Sequence, residues 1–198
     1  MLIKKRLFAT LGFTTLLLSA CSSMPSNTLN FSVPLPMNTT FNTANQKATV
    51  DVVTKDGRAQ SEVSAYTYNG TNLKLAAKPE VVNLFQQIMQ QNLNSKGFHL
   101  GTANNATANV LVIVKEFYAK VEEGNLRHKI TSRAQLEIHV QGAKGNFTKE
   151  LGSNRTDEGA FGVDNQDVQK ALTAVLKEVT SALYQDQEIG NAISQYSN

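Results

Sequence analysis

A chain of 198 residues with 41% hydrophobic and 18% charged residues has the size and make-up of one folded domain with a sizeable core, plus some additional sequence. Its formal net charge of +3 excludes less than it suggests: Lys4, Lys5 and Arg6 lie in a segment that reads as a removable leader. Without them Lys+Arg falls from 19 to 16 against 16 Asp+Glu, which leaves general attraction to a polyanion, and hence a nucleic-acid partner, without a basis.

Cys21 is the only cysteine, so the chain forms no intramolecular disulfide or cysteine-based zinc site, and packing alone must hold the domain. Ahead of it, Met1 to Ala20 has the three parts of an export signal in order: basic residues, an apolar run from Leu7 to Leu18, then small residues. That run is about a dozen residues, short of the ~20 that span a bilayer as a helix. Leu18-Ser19-Ala20-Cys21 reads as the lipidation and cleavage box of a bacterial lipoprotein, in which the thiol is diacylated before cleavage exposes it as the new N-terminus. The alternative is ordinary secretion with cleavage near Ser22. Two acyl chains hold stably where one binds only marginally, so Cys21 is expected to anchor the protein to a membrane. Ser22, where an Asp would retain the protein at the inner membrane, favours the outer membrane by the enteric sorting rule, with the domain facing the periplasm.

The expected organisation is a leader over 1–20, a lipidated N-terminus and flexible tether over 21–47, and a single domain over 48–198. Residues 22–47 are rich in Ser, Asn, Thr and Pro, a composition that resists helix and packs little. A flexible stretch of this length has an end-to-end distance of about 28 Å. The alternative for Leu29 to Val33 is docking on the domain as an edge strand.

Within the domain, Ala48 to Thr54 and Glu62 to Leu75 alternate as strands, and Asp56-Gly57 and Asn69-Gly70 are hairpin signals. Pro79 and Glu80 open a helix whose apolar residues recur from Val81 to Leu93, with Gly97 as its stop. Val110 to Val114 is a continuous apolar run, extended by Phe117, Ala119 and Val121. After a turn at Glu122-Glu123-Gly124-Asn125, strict period two places Leu126, His128, Ile130, Ser132, Ala134, Leu136, Ile138 and Val140 on one buried face. A turn at Gly142 to Gly145 leads to a third strand over Asn146 to Arg155. Asp164 or Asn165 caps a last helix, with Asp167 in its first turn and Gly190 ending or interrupting it. The fold class is α+β: a mostly antiparallel sheet with a three-stranded C-terminal meander and two amphipathic helices packed on one face.

Motifs for chemistry are few. His128 and His139 have opposite strand parity, His99 lies in a loop, and no metal-ligand spacing gathers them. There is no nucleophile elbow or phosphate-binding glycine loop, and no cofactor is implied. Arg127, Lys129 and Arg133 share the wet face of one strand, with Lys115 or Lys120 as neighbours. They form a small basic patch suited to an anionic glycan or lipid headgroup; the plainer reading is a solvated strand face.

The run Tyr118-Ala119-Lys120-Val121-Glu122-Glu123-Gly124-Asn125-Leu126-Arg127-His128 resembles the YajG family of bacterial lipoproteins. The resemblance continues through Ile130 and Ser132-Arg133-Ala134, recurs at Glu158-Gly159-Ala160-Phe161, and includes the first helix with its exit Lys96-Gly97-Phe98. It implies an envelope lipoprotein with no catalytic motif to carry over, and a packed position for His128. The expected function is a non-enzymatic binding or scaffolding module, meeting the membrane through Cys21 and an envelope protein, glycan or lipid through the domain. The alternatives are a cell-wall or lipid-processing enzyme and a purely structural envelope-integrity protein.

Overall fold

The structure is a computed structural model that describes residues 24–37 and 39–197; the box from Leu18 to Cys21 lies outside them. Three long strands form its backbone: β6 (Ala108–Glu123), β7 (Arg127–Gly142) and β8 (Gly145–Ala160), paired antiparallel in sequence order. This is the expected meander, with its third strand starting one residue earlier and running five residues further than the pattern indicated. Five shorter strands complete one sheet: β1 (Thr28–Asn30), β2 (Thr49–Asp56), β3 (Ser64–Tyr68), β4 (Thr71–Lys78) and β5 (His99–Leu100). Helices α1 (Val81–Ser95), α2 (Asn165–Gln185) and α3 (Glu188–Tyr196) cover one face, giving the α+β class expected.

The parity of β6 changes midway. Val110, Val112 and Val114 face the helices, and so do Phe117 and Ala119. Both sets can point inward only because a bulge between Val114 and Glu116 inserts the residue that restores the register. The same bulge divides the far edge of β6. β2 runs parallel to Ala108–Val114, and β3 pairs parallel beyond the bulge, at Ala119 and Lys120.

The hairpin expected at Asp56-Gly57 is therefore not formed. Both flanking strands run parallel to β6, so the chain continues in one direction instead of reversing. Gly57 donates its amide to the Val114 carbonyl (2.9 Å), where a Cβ would stand 2.7 Å from Ile113 Cγ2. Arg58 braces this loop through a two-pronged contact with Asp56 (2.9 and 2.8 Å), which holds the Asp56 carboxyl below its ordinary range. At Asn69-Gly70 the hairpin does form. Both residues have positive φ (48° and 77°), and β3 and β4 pair across them.

α1 ends as expected at Gly97, whose φ of 97° suits a glycine. α2 starts at Asp164, whose carboxylate accepts from the amides of Gln166 and Asp167 while the Asp167 side chain accepts from the Asp164 amide. Gly190 does not end this helix; it lies within α3. The break comes earlier, at Asp186, whose backbone is extended and whose carboxylate accepts from the Ile189 amide (2.9 Å). The buried Lys96 ammonium donates to the carbonyls of Leu183 and Asp186, satisfying the end of α2. Burial lowers the Lys96 pKa, opposed by the neighbouring Asp186.

The segment expected as a free tether is corrected by its packing at two places: Ser26 to Pro34 docks on the domain, and Asn42 to Lys47 is held at the Lys96 carbonyl. β1 pairs parallel with β4, the docking foreseen as the alternative near Leu29. Leu29 is 1% exposed, and Phe31 stacks edge-on against Phe117 (centroids 5.4 Å apart). Asn165 donates to the Ser26 carbonyl, Gln169 to Asn30, and the Tyr184 hydroxyl to Pro34 (2.6, 3.0 and 2.8 Å). A 3₁₀ turn over Thr43–Lys47 then leads into β2. Polar composition misled here because these residues satisfy their backbone through β4 and through side chains of α2, with Leu29, Phe31 and Val33 supplying the apolar contact.

Burial pushes the Tyr184 hydroxyl up to about 12 from the ordinary tyrosine value of 10.0. The neutral form is thus favoured in the fold, and its contribution is complete below pH 10 and lost as pH rises from 10 through about 12. Tyr184→Phe is expected to cost about 1 kcal/mol at neutral pH and to reduce the loss of stability across that alkaline window. Denaturant titrations at neutral and alkaline pH check both; an unchanged pH profile would assign the alkaline loss to other groups.

Candidate functional site

Arg127, Lys129 and Arg133 do share the outer, helix-free face of β7. Their neighbours make that face mixed. Lys129 stands opposite Glu122 on β6 and Glu158 on β8. Lys120, one of the expected reinforcements, pairs with Glu122 (2.7 Å), and Lys115, the other, with Glu137 (3.4 Å). Arg127 and Arg133 have no ion-pair partner among the described residues, but they are separated by Lys129 and its glutamates. An anion approaching this face meets carboxylates at the same spacing as cations, so its field is short-ranged.

The histidines are dispersed. His128 is 7% exposed under the start of α2. Its Nδ1 donates to the Phe161 carbonyl (2.9 Å), which fixes the proton on that nitrogen, and its Nε2 lies 3.9 Å from Asp167. Gly159 makes room for the ring: a Cβ there would sit 2.4 Å from it. His128 is thus packed, as the resemblance implied. His139 lies on the outer face between Glu137 and Thr148, and His99 is exposed on β5. Among the described residues no group of three His, Cys, Asp or Glu side chains could hold a metal ion.

Two clefts open on the surface of the described residues. One, of about 650 Å³, lies between β1 and α2 and is lined by Ser26, Leu29, Asn165, Gln169, Lys170 and Lys177, with no carboxylate. It is open, with polar groups that can hydrogen-bond but no nucleophile beside a base. The other, about 500 Å³, contains Asp56, Arg58, Glu62, Lys74 and Glu80. Its charges are largely spent on each other, through Arg58 with Asp56 and Lys74 with Glu62 (3.3 Å).

Sequence pattern overlooked the far end of the molecule. Leu126, expected on the buried face of β7, precedes the strand and is 73% exposed. Phe161, just past β8, is equally exposed and has a φ of 63°. The two are joined by a bond from the Phe161 amide to the Leu126 carbonyl (3.0 Å). An aromatic residue directly before a glycine at a strand end was the available signal.

A family model described as "Uncharacterized lipoprotein" matches residues 36–194. The chain is 28% identical over 148 residues to the uncharacterized lipoprotein YajG of Escherichia coli strain K12, covering 74% of this chain and 76% of that protein. The same figures hold for YajG of E. coli O6:H1. Among solved structures, protein XCC0632 from Xanthomonas campestris shares the fold, with a TM-score of 0.55 at 12% identity, over 86% of this chain and 97% of that one.

Proposed function

Because the chain belongs to the YajG family of lipoproteins, we propose that acyl chains on Cys21 hold its domain at the periplasmic face of the bacterial outer membrane. There it serves as a non-enzymatic module that binds or scaffolds another envelope component. The observation that carries this reading is the placement of Cys21, the only cysteine, behind Leu18-Ser19-Ala20 at the end of an apolar run. No helix among the described residues is long and apolar enough to cross a membrane; in this reading the acyl chains supply the attachment. Two chains suffice for this, at about 0.8 kcal/mol per buried CH₂. The neutral charge of the mature chain adds little attraction of its own. The two clefts lack a nucleophile–base pairing, which favours recognition over catalysis.

Cys21→Ala, exported behind a leader whose cleavage does not require the thiol, is expected to move the protein from the membrane to the soluble periplasmic fraction with its circular dichroism unchanged. Retention of the variant in membranes would overturn the anchor. Density-gradient separation of inner and outer membranes tests the role of Ser22: recovery of the wild type with the inner membrane rejects the outer-membrane placement. In-cell crosslinking of wild type is expected to capture a specific envelope partner that the variant loses.

A further inference from the structure

The exposed pair Leu126–Phe161 has a location that gives it meaning. Phe161 leads into the N-terminus of α2, and Asn165, four residues on, holds the Ser26 carbonyl with its side-chain amide while accepting from the Tyr66 hydroxyl (2.8 Å). Ser26 is thus the point where the N-terminal segment leaves the body of the domain, and Phe161 lies within about 14 Å of its latch along the chain. From Ser26 back to Cys21 is five residues, a reach of no more than about 18 Å when fully extended. The long strands, at 16 residues each, span about 50 Å. An anchor at Cys21 therefore keeps this end of the domain close to the bilayer, and the turn at Gly142–Gly145 is the distant end.

The tip is also built to present its side chains. Phe161 occupies the left-handed region, a conformation disfavoured for a bulky residue. It is held there on both sides, by its own amide on Leu126 and by His128 on its carbonyl. With the backbone pinned, both side chains remain 73% exposed. Met24, in the connecting stretch, is 61% exposed as well. Charges around the tip are mixed, with Arg127 and Lys129 beside Glu122, Glu123 and Asp164, so apolar contact is the only consistent attraction it offers.

We propose that the Leu126–Phe161 tip is a membrane-contact site that inserts into the headgroup–acyl boundary of the bilayer to which Cys21 is anchored. This rests on the anchor proposed above. It fixes the orientation of the domain: meander upright, tip down, and the β1–α2 cleft beside the lipid surface.

The chain contains no tryptophan, so Phe161→Trp provides a single reporter. The test uses the mature chain acylated at Cys21, in vesicles of phosphatidylethanolamine and phosphatidylglycerol carrying brominated acyl chains. Trp at 161 is expected to shift its emission to the blue and lose intensity to bromine quenching. A second variant, Lys144→Trp at the distant turn, is expected to show neither. Adding Leu126→Asp to the Phe161→Trp protein is expected to reverse the shift without releasing the protein. If the acylated protein sediments with vesicles but 161 is unquenched, or 144 is quenched equally, the tip is wrong and the anchor stands. If the acylated protein does not sediment with vesicles, the anchor falls and takes the tip with it.

Discussion

Phe117→Ala is expected to destabilise the domain by about 3–5 kcal/mol, the range for truncating a fully buried phenylalanine. Phe117 has no exposed surface and sits edge-on to Phe31 (5.4 Å) and Phe85 (5.6 Å). It therefore joins three pieces that are distant in sequence: the N-terminal segment, α1 and the central strand. Truncation opens a cavity among all three, and the rigid sheet on one side limits how far they can collapse into it. Urea unfolding followed by circular dichroism gives the measurement. A loss below about 1 kcal/mol, typical of a surface substitution, would show that the three rings do not share one core.

Leu29→Asp is expected to act differently, by releasing one segment while leaving the rest folded. Leu29 is 1% exposed on β1, with β4 beside it and α2 packed over the strand. A carboxylate there must either stay buried or swing out into the cleft that Lys170 and Lys177 line, and an uncompensated buried charge costs about 3–5 kcal/mol. β1 is only three residues long, so undocking it is the easier outcome. Hydrogen exchange should then accelerate at the amides of Ala76 and Phe31, which bond to Asn27 and Lys78 across this junction. The interior of β6 and β7 should stay protected. The connection from Cys21 to the domain would lengthen to about 20 residues, ending where Asn42 is bonded to the Lys96 carbonyl, with a span of about 25 Å. Unchanged exchange at Ala76 would mean that the segment is held by its polar bonds to α2 and not by Leu29.

Much of the fold was legible because its strongest signals are periodic. Seven consecutive alternate positions of β7, from His128 to Val140, are buried as period two requires. The capping pattern at Asp164 and the glycine at Gly97 marked helix ends whose geometry depends on those residues. Parallel pairing was not legible. Nothing local in Asp56-Gly57 distinguishes a hairpin from a loop that carries the chain along the same edge of β6; the distinction lies in the bulge at Val114–Glu116, some sixty residues on. A phase change was present in the sequence all the same, since Val114 and Phe117 cannot both face inward on an unbroken strand. The N-terminal segment failed for the opposite reason: its composition is that of a linker, and its structure comes from side chains that α2 contributes. At the basic face, residue positions were readable but the glutamates opposite Lys129 depended on strand register, which periodicity alone does not give. The exposed pair at Leu126 and Phe161 needed both turns to be placed in space before it could be seen as one feature.

The N-terminal segment also has an implication for timing. Its partners are among the last residues made: Asn165 and Gln169 each lie 139 positions beyond the groups they hold, and Tyr184 lies 150 beyond Pro34. In a chain that is synthesised and exported N-terminus first, Ser26 to Pro34 has nothing to dock on until α2 has emerged, and contacts of such separation are late to form. With the anchor proposed above, the enzymes that acylate and cleave at Cys21 would then meet a chain not yet docked at Ser26 throughout export. Closure of α2 over β1 afterwards withdraws most of that slack. The same few hydrogen bonds would thus divide the protein's life into a maturation phase with a long leash and a working phase with a short one.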